Sequence, residues 1–452
     1  MTDTAARPHT PPAPTVSPTA ATPEPALPPG PPLPRWLQTI VFGRFRPAYT
    51  RLLRRRYGDV FTVRIMPGRD FVMVADPALV KTVFTGSTSV LHAGEGNAIL
   101  EPAMGDRSVL LVDEADHVRI RKLLMPAFHG APLQGYREVV TRLARENAER
   151  WPVGEAFASH DLTTEVTRDI ILSVVFGVTD PARLAALTPP VDRIVTTSLL
   201  VTLGLQSPTL AKLPPWRGYA GVAARLDELL YAEIRERREV PDLAERTDVL
   251  SQLVRQNDDG GGLTDKEIRD NLITLLLAGH ETTATSLAWT FHELARRPDV
   301  QARARRAADT GDDAYLEAVL KEALRVRPVI WEVARLTTAP FTVGGVTVPR
   351  GVRVMPVIGL VQLDAEHFPD PHRFDPARFL GANPAPNTWI PFGGGTRRCL
   401  GASFSLMESV IVLREVLQRF ELTAPDPRPE AALPRNVTLT PAKGGRVVAT
   451  RR

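Results

Sequence analysis

A cysteine beside a helix start, with arginines next to it, can serve as a thiolate ligand for a metal, and residues 392–401 have that make-up. They read Phe392-Gly393-Gly394-Gly395-Thr396-Arg397-Arg398-Cys399-Leu400-Gly401 and hold the only cysteine of the 452-residue chain. The three glycines permit positive φ and close approach by a flat object, which a Cβ would obstruct. From Ala402 onward Phe404, Leu406, Met407, Val410, Ile411, Leu413, Val416, Leu417 and Phe420 recur at helical spacing. Cys399 is therefore expected just ahead of a helix N-terminus, where free N–H groups and the positive dipole end favour a thiolate. A thiolate there is a soft ligand suited to iron. Arg397 offers a two-pronged donor for a carboxylate.

The second chemical stretch lies inside a long helical pattern. Thr264-x-x-Glu267 is a capping box, and the pattern runs from there to Arg297, where Pro298 stops it. Such a helix is roughly 50 Å long, enough to cross a whole domain. Its centre, Leu275-Leu276-Leu277-Ala278-Gly279-His280-Glu281-Thr282-Thr283, changes abruptly from apolar to small and polar. Gly279 costs about 1 kcal/mol relative to Ala in a helix interior. Thr282 is spaced to bond back to the carbonyl of Ala278 and bend the helix. Two further pairs share helix faces: His117 with Arg121 in a helix expected over 113–128, and Glu322 with Arg325 in one over 315–325.

With these residues in view, the chain resembles the cytochrome P450 family, whose ligand loop reads Phe-x-x-Gly-x-Arg-x-Cys-x-Gly. Phe392, Gly395, Arg397, Cys399 and Gly401 match it without a gap, and Ala278, Gly279, Glu281 and Thr282 match the family's Ala-Gly-x-acid-Thr signature. His117-x-x-x-Arg121 matches the bacterial branch, whereas many other branches carry Trp at the His position. Glu322-x-x-Arg325 and Pro371-x-x-Phe374-x-Pro376-x-Arg378-Phe379 match two more segments. Gln362-Leu363-Asp364 departs from the usual polar triplet.

The resemblance implies a mainly α fold with small β-sheets, the P450 prism, over residues 35–452. It implies haem b with Cys399 as axial ligand in the Phe392–Gly401 loop, and His117, Arg121, Arg335 and Arg397 as propionate partners. Ala278 and Gly279 are expected over the distal face, with Thr282 and Glu281 delivering protons to iron-bound dioxygen. Glu322, Arg325 and Arg378 are expected to be structural. The implied reaction inserts one oxygen atom from dioxygen into a C–H or C=C bond of an apolar small molecule of terpene, fatty acyl, steroid or polyketide type. Val329, Ile330 and Trp331 are the expected pocket wall beside Ala278.

No flavin or iron–sulfur segment is apparent, so electrons are expected from NAD(P)H through a separate ferredoxin or flavodoxin and its reductase. Arg119, Lys122 and Arg398 are the candidate docking face. The alternatives are a peroxide-driven or non-oxygenating haem-thiolate enzyme, against which Glu281-Thr282 argues, and a haem or ligand carrier. High Arg and Ala with little Lys suggests a GC-rich bacterial source, where such enzymes often serve secondary metabolism.

The remaining sequence supplies the supporting elements. A net charge of +4, with acids and bases interspersed, is too mild for nucleic-acid binding. One cysteine allows no internal disulfide, which fits a reducing, cytoplasmic setting. Residues 1–34 contain 12 prolines and no apolar periodicity, so they are expected to be a disordered tail rather than a membrane span or signal peptide. The segment 35–57 carries Trp36, Leu37, Ile40, Val41, Phe45, Tyr49, Leu52 and Leu53 at amphipathic spacing and ends in Arg54-Arg55-Arg56. It is expected to bury one face, with a membrane surface as the alternative. Strands are expected at 60–65 and 71–74 around Pro67-Gly68, followed by a helix at 78–84 and a hairpin at 341–348. Residues 133–260 read as amphipathic helices broken at Gly154, Pro181, Pro189-Pro190 and Pro214-Pro215, with a loop at 258–262. A monomer is expected.

Overall fold

The structure, a computed structural model, describes residues 27–177, 180–195, 209, 212–214, 216–258, 261–381 and 383–452. Residues 1–26, most of the expected tail, lie outside them, as does Pro215. Residues 27–34, also assigned to the tail, instead pack on the first strand. Thr62 donates to the Pro28 carbonyl (2.7 Å) and its N–H to that of Pro29 (2.9 Å), and a Cβ on Gly30 would strike the Thr62 carbonyl. Leu27 reaches the core beneath.

The helices that matter for the site are α1 (Arg35–Tyr57), α2 (Pro77–Thr85), α3 (Glu114–Leu124), α4 (Arg137–Glu149), α5 (Ser159–Phe176), α6 (Pro181–Val195), α7 (Trp216–Glu239), α8 (Val249–Asp258), α9 (Asp265–Leu294), α10 (Pro298–Thr310), α11 (Asp313–Val326) and α12 (Ala402–Arg419). The main core gathers the buried faces of α3 to α12, from Ile120 and Leu124 through Ile170, Leu226, Leu272 and Leu287 to Leu413 and Leu417. A five-stranded sheet forms the smaller lobe. Its strands β1 (Val60–Ile65), β2 (Arg69–Val74), β3 (Leu91–His92), β5 (Arg335–Thr337) and β8 (Arg353–Pro356) lie in the order β1-β2-β8-β5-β3. Only β2 and β8 run parallel, with Val72 opposite Val354. Outside this sheet, β4 (Ala156–Ala158), β9 (Phe420–Thr423) and β12 (Arg446–Arg451) form a second, while the hairpins β6–β7 (Phe341–Val343, Val346–Val348) and β10–β11 (Ala432–Arg435, Thr438–Pro441) stand apart.

Local chemistry sets most boundaries. Asp76 caps α2 by accepting from the Leu79 N–H at 2.9 Å. The capping box opens α9 as expected, with Thr264 and Glu267 each accepting from the other's N–H. This helix ends at Leu294, three residues before the expected stop, and Pro298 then starts α10. The expected helix over 113–128 stops at Leu124, and Met125–Phe128, with Pro126 at its start, form a 3₁₀ turn.

Two expectations fail for tertiary reasons. Pro189-Pro190 does not break the chain but lies inside α6, although two missing N–H donors leave the carbonyls of Ala185 and Ala186 without intrahelical partners. Leu187, Val191 and Ile194 of that helix are buried, and their burial outweighs the lost bonds. In α1 the apolar residues do not share one buried face. Phe42, Tyr49 and Leu53 are buried, but Trp36, Ile40, Phe45 and Leu52 are more than half exposed, and the helix kinks at Phe45 (φ −129°) just before Pro47.

Candidate active site

The cysteine loop is folded by contacts that the sequence does not display. The Cys399 N–H donates to the Phe392 carbonyl at 2.9 Å, closing the loop on itself, and Phe392 packs edge-to-face on Trp389. Gly393 and Gly395 have φ of +67° and +65°, as the glycine run led one to expect. The need for small residues has a different source, however. A Cβ on Gly394 would lie 2.4 Å from the Phe84 ring, and one on Gly395 1.9 Å from the Phe84 carbonyl. Gly394 and Gly395 thus admit α2, while the space beside Gly393 is open.

Cys399 faces an open recess yet is ringed by protein atoms at the start of α12. Burial pushes its thiol above the usual range, ahead of the Gly401 N–H, Arg398 and Arg121, which all favour the thiolate. Burial thus opposes the helix start and the arginines at this thiol, and a bound cation would favour the thiolate, because a metal-coordinated thiol gives up its proton.

Positive charge collects above this loop. Arg397 donates to the carbonyls of Val109 (3.1 Å) and Val112 (2.6 Å) and to Asp113 (2.5 Å). Asp113 is already engaged by the N–H groups of Gly94 and Glu95. Arg335, buried on β5, makes its one hydrogen bond among the described residues to the Ala334 carbonyl. Burial pulls both Arg335 and Arg397 down to about 10. His117, buried on α3, is held down to about 4 by burial and then by Arg397, Arg121 and Arg335. Arg121 does not join the cluster directly; it donates to the Arg398 carbonyl at 2.7 Å and braces the cysteine loop.

The centre of α9 behaves as its sequence suggested. Thr282 donates to the Ala278 carbonyl at 2.6 Å, although the helix runs unbroken. A Cβ on Gly279 would come within 3.0 Å of Ile171, so this glycine lets α5 approach. Thr167 and Thr163 of α5 donate to the carbonyls of His280 (3.1 Å) and Ala284 (3.0 Å), pinning the helix on either side of Glu281. Glu281 is buried, and neither carboxylate oxygen has a hydrogen-bond partner among the described residues. Burial raises its pKa, opposed by Arg435 of β10, whose Nε is 3.8 Å away.

These features have known counterparts. The sequence profile of the Cytochrome P450 family matches residues 27–448. A Mycobacterium tuberculosis protein described as putative cytochrome P450 135A1 is 46% identical over 431 residues, covering 94% of this chain and 96% of its own. Putative cytochrome P450 135B1 of Mycobacterium bovis is 44% identical, over 93% and 91%. The chain belongs to the cytochrome P450 family.

This P450 shares its fold with the retinoic acid-bound cyanobacterial CYP120A1 (TM-score 0.81, 23% identity, 94% of this chain and 99% of that one). It also matches a cytochrome P450DA haem domain with a TM-score of 0.78, covering 95% and 97% of the two chains. Membership makes it a haem monooxygenase, an oxidoreductase, with the P450 prism fold.

The residues present fit a haem. His117, Arg335 and Arg397 stand around one carboxylate, Asp113, whose bonds are already taken, and two haem propionates would supply the missing negative charge. Cys399 and Ala278 are both exposed, Ala278 in mid-helix where its Cβ is no obstacle.

Behind the site, Glu322 and Arg325 form a fully buried double contact, 2.7 Å at each end, on α11. Arg325 also donates to the carbonyls of Gln362, Pro371 and Arg373, and Arg378 approaches Glu322 at 3.6 Å. Gln362, in the triplet that departs from the family pattern, bonds the Leu324 carbonyl and the Ile390 N–H and so ties α11 to the cysteine loop. Trp331 leaves the expected pocket wall. It is core, donating to Thr50 of α1 at 3.1 Å with its ring against Gly359.

Sequence reading missed Asp113, Thr163, Thr167 and Arg435, whose partners lie far along the chain. Arg435 carries a prediction. Arg435→Met removes the only opposing charge resolved for Glu281, so the Glu281 pKa rises further and the associated limb of the pH–turnover profile moves to higher pH. Arg435→Lys is expected to restore it, and an unmoved limb in both variants would contradict the pairing.

Proposed function

We propose that this P450 oxygenates an apolar small molecule of terpene, fatty acyl, steroid or polyketide type, with electrons reaching it from NAD(P)H through a separate ferredoxin or flavodoxin and its reductase. When bound through Cys399, the haem supplies dioxygen activation, to which thiolate donation contributes by favouring O–O cleavage. The protein's own part is to hold the propionates with His117, Arg335 and Arg397, to brace the ligand loop with Arg121, and to move protons.

The observation that carries the reading is the buried Glu281 carboxylate next to Thr282, which accepts no hydrogen bond among the described residues and has only Arg435 near it, at 3.8 Å. Burial raises the Glu281 pKa above the ordinary carboxyl range, so the group keeps its proton to higher pH than an exposed glutamate does and can give it up at Oε1 or Oε2. The Thr282 hydroxyl spends its hydrogen on the Ala278 carbonyl, so its oxygen is left as an acceptor. Buried Ile171, 3.0 Å from where a Cβ on Gly279 would lie, closes that side of α9 with apolar atoms.

Lys122 and Arg398 are exposed and form no ion pair among the described residues, so they suit an acidic redox partner. Arg119 drops out of that face because Glu267 holds it. Arg398→Glu is expected to slow first-electron transfer from a ferredoxin by about tenfold or more at low salt. An unchanged stopped-flow rate would move the docking face elsewhere.

The reading as a whole is tested by turnover under ¹⁸O₂ with ferredoxin, reductase and NAD(P)H, using an apolar substrate chosen by spin-state shift. One labelled oxygen per product molecule is expected. Product made from peroxide alone, with no gain from the reductase, would overturn it.

A further inference from the structure

We propose that the first two turns of α1 and the β1–β2 turn form a surface that docks on anionic lipid headgroups, holding the enzyme peripherally on a membrane. Among the described residues, eleven large apolar side chains are exposed, and six of them fall between Leu33 and Met66: Leu33 (40%), Trp36 (54%), Ile40 (59%), Phe45 (54%), Leu52 (61%) and Met66 (53%). Four of these form one patch. Leu33, Trp36 and Ile40 recur at spacings of three and four along one side of the segment, and the Met66 N–H donates to the Thr39 hydroxyl at 2.9 Å, which seats the β1–β2 turn beside them. The polar side of the same turns faces inward, where buried Gln38 bonds the Leu33 carbonyl and the Arg64 N–H. The helix is therefore turned with its apolar residues outward, the reverse of what core packing requires.

The charge around the patch selects the partner. Residues 27–69 contain nine arginines and one aspartate, a formal +8 in a chain whose total is +4; Asp70, Glu332 and Asp364 pair with Arg35, Arg46 and Arg54, which still leaves the segment basic. Arg44, Arg64 and Arg69 border the patch and form no ion pair among the described residues; Arg44 instead lies over the exposed Phe45 ring at 5.1 Å. Exposed Trp, Ile, Leu and Met ringed by unpaired arginines suit the headgroup region of an anionic bilayer, where the apolar groups enter the acyl boundary and the guanidinium groups meet phosphates. No helix among the described residues is long and apolar enough to cross a membrane, so the contact is one of lying on it.

The test is co-sedimentation of the full-length haem-loaded protein with sucrose-loaded vesicles, one set of phosphatidylglycerol and phosphatidylcholine, the other of phosphatidylcholine alone. The expected result is partition into the anionic vesicles that weakens with salt and falls at least tenfold in W36E/I40E and in R44E/R69E. Equal melting temperatures and CO-difference spectra for wild type and variants would show that the fold is intact. Failure to bind anionic vesicles, or binding that neither variant changes, overturns the proposal. A concentration-dependent dimer in light scattering that W36E/I40E abolishes also overturns it, because the patch would then be covered by a second copy of the chain.

Discussion

Replacing Glu281 by Gln is expected to lower product formation with dioxygen and reductase by about 10²- to 10⁴-fold, the usual contribution of a positioned acid or base. Glutamine keeps the shape and the burial but cannot pass on a proton. Substrate binding, read as the spin-state shift, should stay within a few-fold, because Glu281 is buried within α9 and its carboxylate gives up no hydrogen bond, only the 3.8 Å contact with the part-exposed Arg435. Stability should change little for the same reason. Turnover within threefold of wild type would remove Glu281 from the proton route, even if Thr282 remained in it.

Arg325→Ala is expected to cost about 3–5 kcal/mol of folding stability, since it strands a fully buried carboxylate. Burial raises the Glu322 pKa, and Arg325 is its strongest opposing partner. The variant also releases the carbonyls of Gln362, Pro371 and Arg373, of which that of Gln362 is a buried acceptor left without its donor. Removing both charges, as in Glu322→Gln with Arg325→Met, should cost less than Arg325→Ala alone. Thermal melts of apo and haem-loaded protein measure both. A loss below about 1 kcal/mol for Arg325→Ala would mean that the pair is not what holds α11 to the cysteine loop.

What was legible in the sequence was contiguous. The Cys399 loop, the capping box at Thr264 and the Thr282 back-bond each lie within ten residues, so their chemistry can be read from spacing. The reasons behind some residues were not. Gly394 and Gly395 are small because Phe84, about 310 residues earlier, packs on them, and Gly279 is small because of Ile171. The place of Trp331 after the Glu322–Arg325 helix suggests a pocket wall, whereas its indole N–H is committed to Thr50. Arg119 seemed free on its helix until Glu267 reached it from α9. The apolar spacing of α1 was real, but spacing does not say which face points inward; Gln38, by bonding Leu33 and Arg64, settles that. Arg435 left no sequence signal at all, since its meaning is a distance to Glu281.

The central claim is that Cys399 is the thiolate ligand of the haem iron, in a site where burial raises the thiol pKa and a bound cation would lower it. It is tested most directly by the carbon monoxide difference spectrum of the dithionite-reduced, haem-loaded protein, recorded beside Cys399→Ser. A long-wavelength Soret band in wild type that disappears in the variant is the predicted result. A wild-type spectrum without that band at full haem occupancy would contradict thiolate ligation and, with it, the monooxygenase mechanism built on this site.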